Sequence, residues 1–305
     1  MWNTRRILFI IFAIIFIFVL IAGTHALVKR YQGVTLPPNA PGTTLPGNGP
    51  ITIILAPHFD DAVLPLGGLL ARHDRPALVA TFFTGAPAVA TSTDWDTRAG
   101  FTDSTIATNV RMAENQNALG KLGVVGENYG YLDLQYGRPI SSDILESTIA
   151  QDIQALLVAN TGRAVNIYGP STFGAPAEMT HPDHQILHDA FTDVAQNFPA
   201  KNVRFFYYED YPYVTHFAST SVISLQKYLE NSTGFSLNEI DIPLSAGQVA
   251  AKISALKQYG SQIQAFTSDG KDLIGGSKKY TSTRCAGQAC EVVYQIIPGT
   301  SGLPQ

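Results

Sequence analysis

From residue 51 onward, short apolar runs alternate with longer stretches in which apolar residues recur at helical spacing. Residues 51–55 (ITIIL) form a short β-branched run of the kind buried on both faces of a parallel sheet. Residues 62–73 follow with helical character, and residues 77–84 (ALVATFFT) predict a second strand. The pattern then predicts a helix over 109–122, a short strand over 128–134 and a helix over 143–158. In that last helix Ile144, Leu145, Ile149, Ile153, Leu156 and Leu157 make one broad apolar stripe. Residues 164–168 predict a strand, 184–198 a helix and 203–208 (VRFFYY) another strand. A late helix over 248–266 and a terminal strand over 291–297 complete the order. Such alternation predicts an α/β fold with a Rossmann-like, mostly parallel sheet and helices on both faces. In such sheets ligands sit beyond the carboxyl ends of the strands.

The first fifty residues break this pattern. Arg5 and Arg6 precede residues 7–23 (ILFIIFAIIFIFVLIAG), which carry no polar or charged side chain. That run is just short of the ~20 residues that span a bilayer core, and it exceeds the apolar region of roughly 7–15 residues found in cleavable signal peptides. It predicts an N-terminal transmembrane helix that stays uncleaved, with Thr24-His25-Ala26 as the cleavage site of the alternative, secreted form. Lys29 and Arg30 offset Arg5 and Arg6, so the count of positive charges leaves orientation open. Residues 31–50 are rich in Pro and Gly and read as an extended tether. The expected organisation is an anchor or signal segment over 1–30, a linker over 31–50 and one domain over 51–305.

Composition narrows the partners. A formal net charge of -4 and a pI near 5.9 argue against nucleic acid, which calls for a basic face. Cys285 and Cys290 are near enough in RCAGQAC to close a small disulfide loop, which would mean an oxidising compartment; free thiols in a hairpin are the alternative. With no further cysteine in the chain, the pair makes a poor zinc site. Asn231-Ser232-Thr233 is a glycosylation sequon, meaningful only in a host that glycosylates. No G-x-S-x-G elbow, P-loop or G-x-G-x-x-G fingerprint is present.

The candidate chemistry lies in two polar clusters. His58-Phe59-Asp60-Asp61 ends the first apolar run, and Thr180-His181-Pro182-Asp183-His184 follows the 164–168 strand through a Gly- and Pro-bearing loop. Both fall at the same sheet edge. Imidazole and carboxylate suit a borderline divalent metal, and a catalytic zinc site takes three protein ligands and keeps one open position. Without metal, His58, Asp60 and Asp61 would be read as a helix N-cap. Gly67 and Gly68 would allow close packing behind the site. His188 stands one helical turn after His184 and is read as a buried helix histidine, while His73 and His216 lack partner spacing. Asp94-Trp95-Asp96 is read as an exposed loop tip, with a sugar-facing lid as the alternative. In residues 205–213 (FFYYEDYPY) the aromatics read as strand core, with Tyr211 to Tyr213 able to line a pocket.

In these motifs the chain resembles the PIG-L (LmbE-like) family of zinc-dependent N-acetylglucosaminyl deacetylases. His58-Phe59-Asp60-Asp61-Ala62 matches the family's early His-Pro-Asp-Asp-Glu motif and His181-Pro182-Asp183-His184 its later His-x-Asp-His. Arg111-x-x-Glu114 ahead of Leu119-Gly120 matches its Arg-x-x-Glu helix, and residues 207–213 and 252–263 are similar to elements of one bacterial branch. The resemblance covers roughly residues 51–266. It implies His58, Asp61 and His184 as zinc ligands, Asp60 as general base on the zinc-activated water, and His181 as the group that stabilises the oxyanion or protonates the leaving amine. Asp183 would orient an imidazole. Arg111 would contact substrate, or pair with Glu114. Phe59 and Ala62 depart from the family's Pro and Glu, which changes the pocket without removing a ligand.

The expected function is therefore metal-dependent removal of the N-acetyl group from an N-acetylated sugar (a GlcNAc-type glycoside, glycolipid or glycan), by an extracytoplasmic domain anchored in the membrane. The alternatives are another metal-dependent amidase or esterase on the same site, or a catalytically silent, membrane-anchored carbohydrate-binding domain.

Overall fold

A computed structural model describes residues 45, 49–137, 140–172, 181–199, 201–215, 221 and 223–297. Contacts divide the chain into Met1–Pro38 and Asn39–Gln305, and all the described residues belong to the second unit. Among them no helix is long and apolar enough to cross a membrane. The anchor expected over 7–23, most of the 31–50 tether, Thr180 and His216 lie outside the described residues.

The elements in chain order are β1 (Ile51–Ala56), α1 (Val63–Leu70), β2 (Ala77–Thr81), α2 (Asp94–Arg98), α3 (Ser104–Lys121), β3 (Val125–Asn128), α4 (Ser142–Ala159), β4 (Val165–Pro170), α5 (Pro182–Asn197), β5 (Val203–Tyr208), α6 (Leu225–Thr233), β6 (Ser236–Pro243), α7 (Ala246–Leu256), α8 (Gly260–Ser268), α9 (Leu273–Thr283) and β7 (Cys290–Ile297). The strands form one sheet in the order β3-β2-β1-β4-β5-β7-β6. β1 to β5 pair in parallel, whereas β7 is antiparallel to both β5 and β6. A mostly parallel α/β sheet is thus what forms, with an antiparallel edge added. Every residue of β1 is buried, as its unbroken apolar run requires.

The chain moves from β1 to β2 on one side and reaches β4 on the other. Right-handed crossovers running in opposite directions place their helices on opposite faces. In accord, α4 packs on α5, while α1 and α3 pack on α7. The crevice between the carboxyl ends of β1 and β4 is the switch point where such folds hold ligands.

Several local expectations need correction. The strand expected over 128–134 is β3, which ends at Asn128. Beyond it Tyr129 and Tyr131 still donate to Thr81 and Phe82, but Gly130 takes a φ of 73° and breaks the regular ladder. The helix expected over 109–122 starts five residues earlier, because the Asp103 carboxylate caps the N–H groups of Thr105 and Ile106. The late helix is two, α7 and α8, broken where Tyr259 leaves helical geometry at ψ 58°. Ile144 is half exposed, and Ala150 takes its place in the buried stripe. Helices α6 and α9 and strand β6 had no counterpart in the reading of the pattern. Asp94-Trp95-Asp96 is no exposed tip: it opens α2, where Thr93 and Asp96 form a capping box and Asp96 is buried.

The helix that follows the first polar cluster is fixed from behind. α1 kinks at Leu66, and the N–H groups of Gly68 and Leu69 turn to the Glu291 carboxylate at 2.8 and 2.7 Å. Lys252 of α7 meets the same carboxylate at 2.8 Å, and both side chains are buried. Gly67 and Gly68 permit this approach: a Cβ on Gly67 would lie 2.8 Å from the Lys252 stem, and one on Gly68 would overlap Leu244. Cys285 and Cys290 are disulfide-bonded. Closing so short a loop contributes only about 2 kcal/mol by the chain-entropy relation, so its influence is mainly local.

Glu291→Ala is expected to lower the unfolding free energy by about 3–5 kcal/mol in urea denaturation, since it strands a buried ammonium and two buried N–H groups. Lys227→Ala, which breaks the exposed pair with Glu230, is expected to cost under about 1 kcal/mol in the same assay.

Candidate active site

The first cluster is folded by its own hydrogen bonds. After β1 the chain turns so that the N–H groups of Val63 and Leu64 bond the Asp60 carbonyl at 3.1 and 3.0 Å. The turn brings the Asp61 carboxylate back onto His58, whose backbone N–H donates to Oδ2 at 2.8 Å. His58 Nδ1 lies 3.1 Å from the same oxygen. The second cluster opens α5, with His181 as N-cap and Pro182 in the first turn, which needs no N–H there. His184, one turn in, points its Nε2 at Asp61 Oδ2, 3.1 Å away.

The remaining ring nitrogens are also engaged. His58 Nε2 lies 3.1 Å from Asp183 Oδ2, and His184 Nδ1 lies 2.7 Å from Asp210 Oδ2. Each imidazole is therefore held between two carboxylates, with Asp61 common to both. That is the arrangement in which a metal-ligating histidine has its tautomer and orientation set from behind. His184 Nε2 is buried and has no hydrogen bond of proper geometry, although it faces a carboxylate oxygen. Two imidazoles and a carboxylate converging in this way fit a divalent metal of the zinc type.

Among the described residues a second group also converges: His58, Asp133, His181 and Asp183. It would use the His58 nitrogen that already faces Asp183, and His181 Nδ1 is taken by the Asp183 N–H as the helix cap. The group His58, Asp61 and His184 leaves both of these contacts intact.

Electrostatics separate the acidic groups. Burial, followed by the adjacent Asp61 charge, pushes the Asp60 carboxyl up to about 6. Burial also presses on Asp61, but His184 and His58 together hold it well below the ordinary carboxylate range. Burial, then the neighbouring His58 and His184, lowers His181 to about 3. His181 is thus neutral, and because Nδ1 accepts the Asp183 N–H, its proton sits on Nε2. Burial disfavours a charged His184, but Asp210 and Asp61 outweigh it and raise that imidazole well above its usual value. A cation at the three donors would take over that role.

These groups open on a cleft of about 180 Å³. Asp60, Arg111, Asp133 and His181 form its polar end; Leu64, Trp95, Pro212, Tyr213 and Phe266 make the apolar wall. Arg111 reaches the cleft rather than Glu114: its Nη2 lies 3.6 Å from Asp60 and its Nη1 3.9 Å from Asp133. Glu114 turns instead to the N–H and hydroxyl of Ser261. Phe59 lies under the Arg111 guanidinium, and Ala62 is fully buried. His188 Nδ1 donates to the Pro170 carbonyl at 2.8 Å, away from the metal-facing groups, as a helix histidine should.

All seven residues singled out from the two clusters and the Arg111 helix thus meet at one place. Asp133 and Asp210 were missed. Both follow strand ends at the same sheet edge, the one signal that marked His58. The Trp95 indole, which donates to Gln262 at 3.2 Å and meets Phe266 edge to face, was also read too conservatively.

Residues 53–195 match the family model described as PIG-L, GlcNAc-PI de-N-acetylase, so this part of the chain is related to the family its motifs resemble. Among solved structures, the deacetylase of the A40926 pseudoaglycone is 21% identical with a TM-score of 0.66, covering 83% of this chain and 98% of its own. A zinc-inhibited form of teicoplanin deacetylase is 23% identical with a TM-score of 0.65, covering 81% and 98%. An N,N'-diacetylchitobiose deacetylase from Pyrococcus horikoshii is 16% identical with a TM-score of 0.50, covering 82% and 84%. At these identities the likeness is one of fold. Comparison with curated proteins gave no match.

Asp210→Asn is expected to weaken divalent-metal binding by about 10–100-fold, as loss of a carboxylate behind a ligating imidazole commonly does. Competition against a chromogenic chelator measures it.

Proposed function

We propose that this chain is a zinc-dependent N-deacetylase that removes acetate from an N-acetylated amino sugar of the GlcNAc type. The observation that carries this reading is the convergence of His58 Nδ1, Asp61 Oδ2 and His184 Nε2 beside a raised Asp60 carboxyl at the head of a cleft. The family match over residues 53–195 and the deacetylases of similar fold support the substrate class.

His58, Asp61 and His184 would hold the metal, which supplies Lewis acidity and lowers the pKa of water from about 15.7 to about 7. Asp60 takes a proton from the attacking water and returns it to the amine as the amide C–N bond breaks. Acetate and a free amino sugar result. His181 donates from Nε2 to the oxygen that gains charge at the acetyl carbonyl, so a neutral ring performs the electrostatic role. Arg111 holds Asp60 in place and offers a cation to substrate hydroxyls. The apolar wall of Leu64, Trp95 and Phe266 excludes water and faces the less polar side of a sugar ring.

The apolar run over 7–23 supports a membrane anchor, and the Cys285–Cys290 bond supports a domain on the oxidising side of that membrane. Cleavage near Ala26 would give a secreted form of the same enzyme.

Acetate release from a panel of N-acetyl sugars should appear with the purified domain, disappear with chelator and return with added zinc. Asp60→Asn should lower kcat by about 10²–10⁴-fold while metal binding persists, measured by acetate release and metal content side by side. Full activity of Asp60→Asn on a confirmed substrate would remove Asp60 as the base.

A further inference from the structure

Two sequence features have no part in the reaction above: the acidic residue beside Asp210 and the disulfide hairpin of RCAGQAC. They meet in one cluster around a buried carboxylate. Glu209 follows β5 and is 3% exposed. Its carboxylate takes a forked pair of bonds from Arg284, Nε at 2.9 Å and Nη2 at 2.7 Å to Oε1, with Nε also 3.0 Å from Oε2. The Tyr294 hydroxyl donates to Oε1 at 2.9 Å, and the Tyr280 hydroxyl donates to Oε2. Arg284 caps the end of α9 and directly precedes Cys285, whose disulfide to Cys290 ties that end to the first residue of β7.

We infer that Glu209 and Arg284 are positioning residues for the metal centre, and that the Cys285–Cys290 bond holds Arg284 in register for that role. This inference rests on the metal-dependent reading above. The ladder between β5 and β7 weakens where the clamp begins: Tyr208 pairs with Val293, but the Glu209 N–H reaches Val292 only at 3.4 Å. The next residue is Asp210, whose carboxylate holds His184 Nδ1. Among the described residues its own backbone N–H bonds Ser171 Oγ, at 3.3 Å, rather than a neighbouring strand. The same segment then supplies Pro212 and Tyr213 to the cleft, and the Tyr213 ring stands edge-on to His184, 4.9 Å between centroids. Where backbone pairing thins, the hold of four donor groups on Glu209 fixes the root of a segment carrying both an imidazole's partner and a wall of the cleft. Arg284 is suited to it because a planar fork presents two donors to one carboxylate in fixed geometry. The hairpin is suited to tethering it, since Ala286 and Gly287 both take positive φ and reverse the chain within the bridged loop.

The test is zinc affinity by chelator competition on the purified full-length protein, with thermal unfolding of the metal-free protein in parallel. Arg284→Gln should weaken zinc binding by about 10-fold and lower kcat more than it raises KM. Arg284→Lys, which keeps the charge and loses the fork, should fall between it and the parent. The double variant Cys285→Ser with Cys290→Ser should weaken zinc binding in the same direction, and adding it to Arg284→Gln should bring no further loss. If Arg284→Gln does not fold, Arg284→Lys and the serine pair carry the same expectation. Variants that lose thermal stability but bind zinc like the parent would overturn the clamp, as would additive losses from the disulfide and the arginine. A parent that binds no zinc would overturn the metal reading itself, which separates the two failures.

Discussion

The site depends on one electrostatic constraint: acidic and imidazole side chains are buried together at the ends of parallel strands, where unpaired charge is costly. Asp60, Asp61, Asp183 and Asp210 are all buried there with His58 and His184. The arrangement is tolerable because each imidazole stands between two carboxylates, and because Asp61 is shared. The pairing also divides labour. Asp61, flanked by both rings, stays ionised, whereas Asp60, which lacks such partners, is driven up toward neutral pH. Two adjacent carboxylates thereby differ, one suited to holding a cation and the other to moving a proton.

The rest of the fold serves to keep these groups in register. β1 and β4 deliver them to the switch point, and the Lys252–Glu291 pair pins the kinked helix that follows the first cluster. Helix α2 is fastened by its capping box, by the Tyr136 hydroxyl on Asp96 and by Arg98 on Asp269, so Trp95 is presented by a fixed element rather than a loose loop. The donors define the chemistry, and the walls of the cleft select what reaches them. Proteins of similar fold and low identity can therefore keep the former while differing in the latter.

Much of this was legible in the sequence, for reasons particular residues make plain. The apolar runs of β1, β4 and β5 are dictated by burial on two faces, and the HFDD and HPDH clusters break the apolar pattern after β1 and at the start of α5. What escaped detection depends on long-range contacts. Asp133 and Asp210 are single carboxylates whose meaning comes from imidazoles far away in the chain, at His58 and His184. The late helix splits at Tyr259, whose hydroxyl bonds Asn115 of α3, and β6 pairs along the edge of β7. The helix expected to hold an Arg111–Glu114 pair instead spends Glu114 on Ser261, a partner no local spacing could reveal.

Anomalous diffraction from crystals soaked in zinc tests whether His58, Asp61 and His184 would hold the proposed ion. One strong zinc peak is expected within about 2.0–2.2 Å of His58 Nδ1, an Asp61 carboxylate oxygen and His184 Nε2. A peak coordinated instead by His58 Nε2, Asp133, His181 and Asp183 would contradict it.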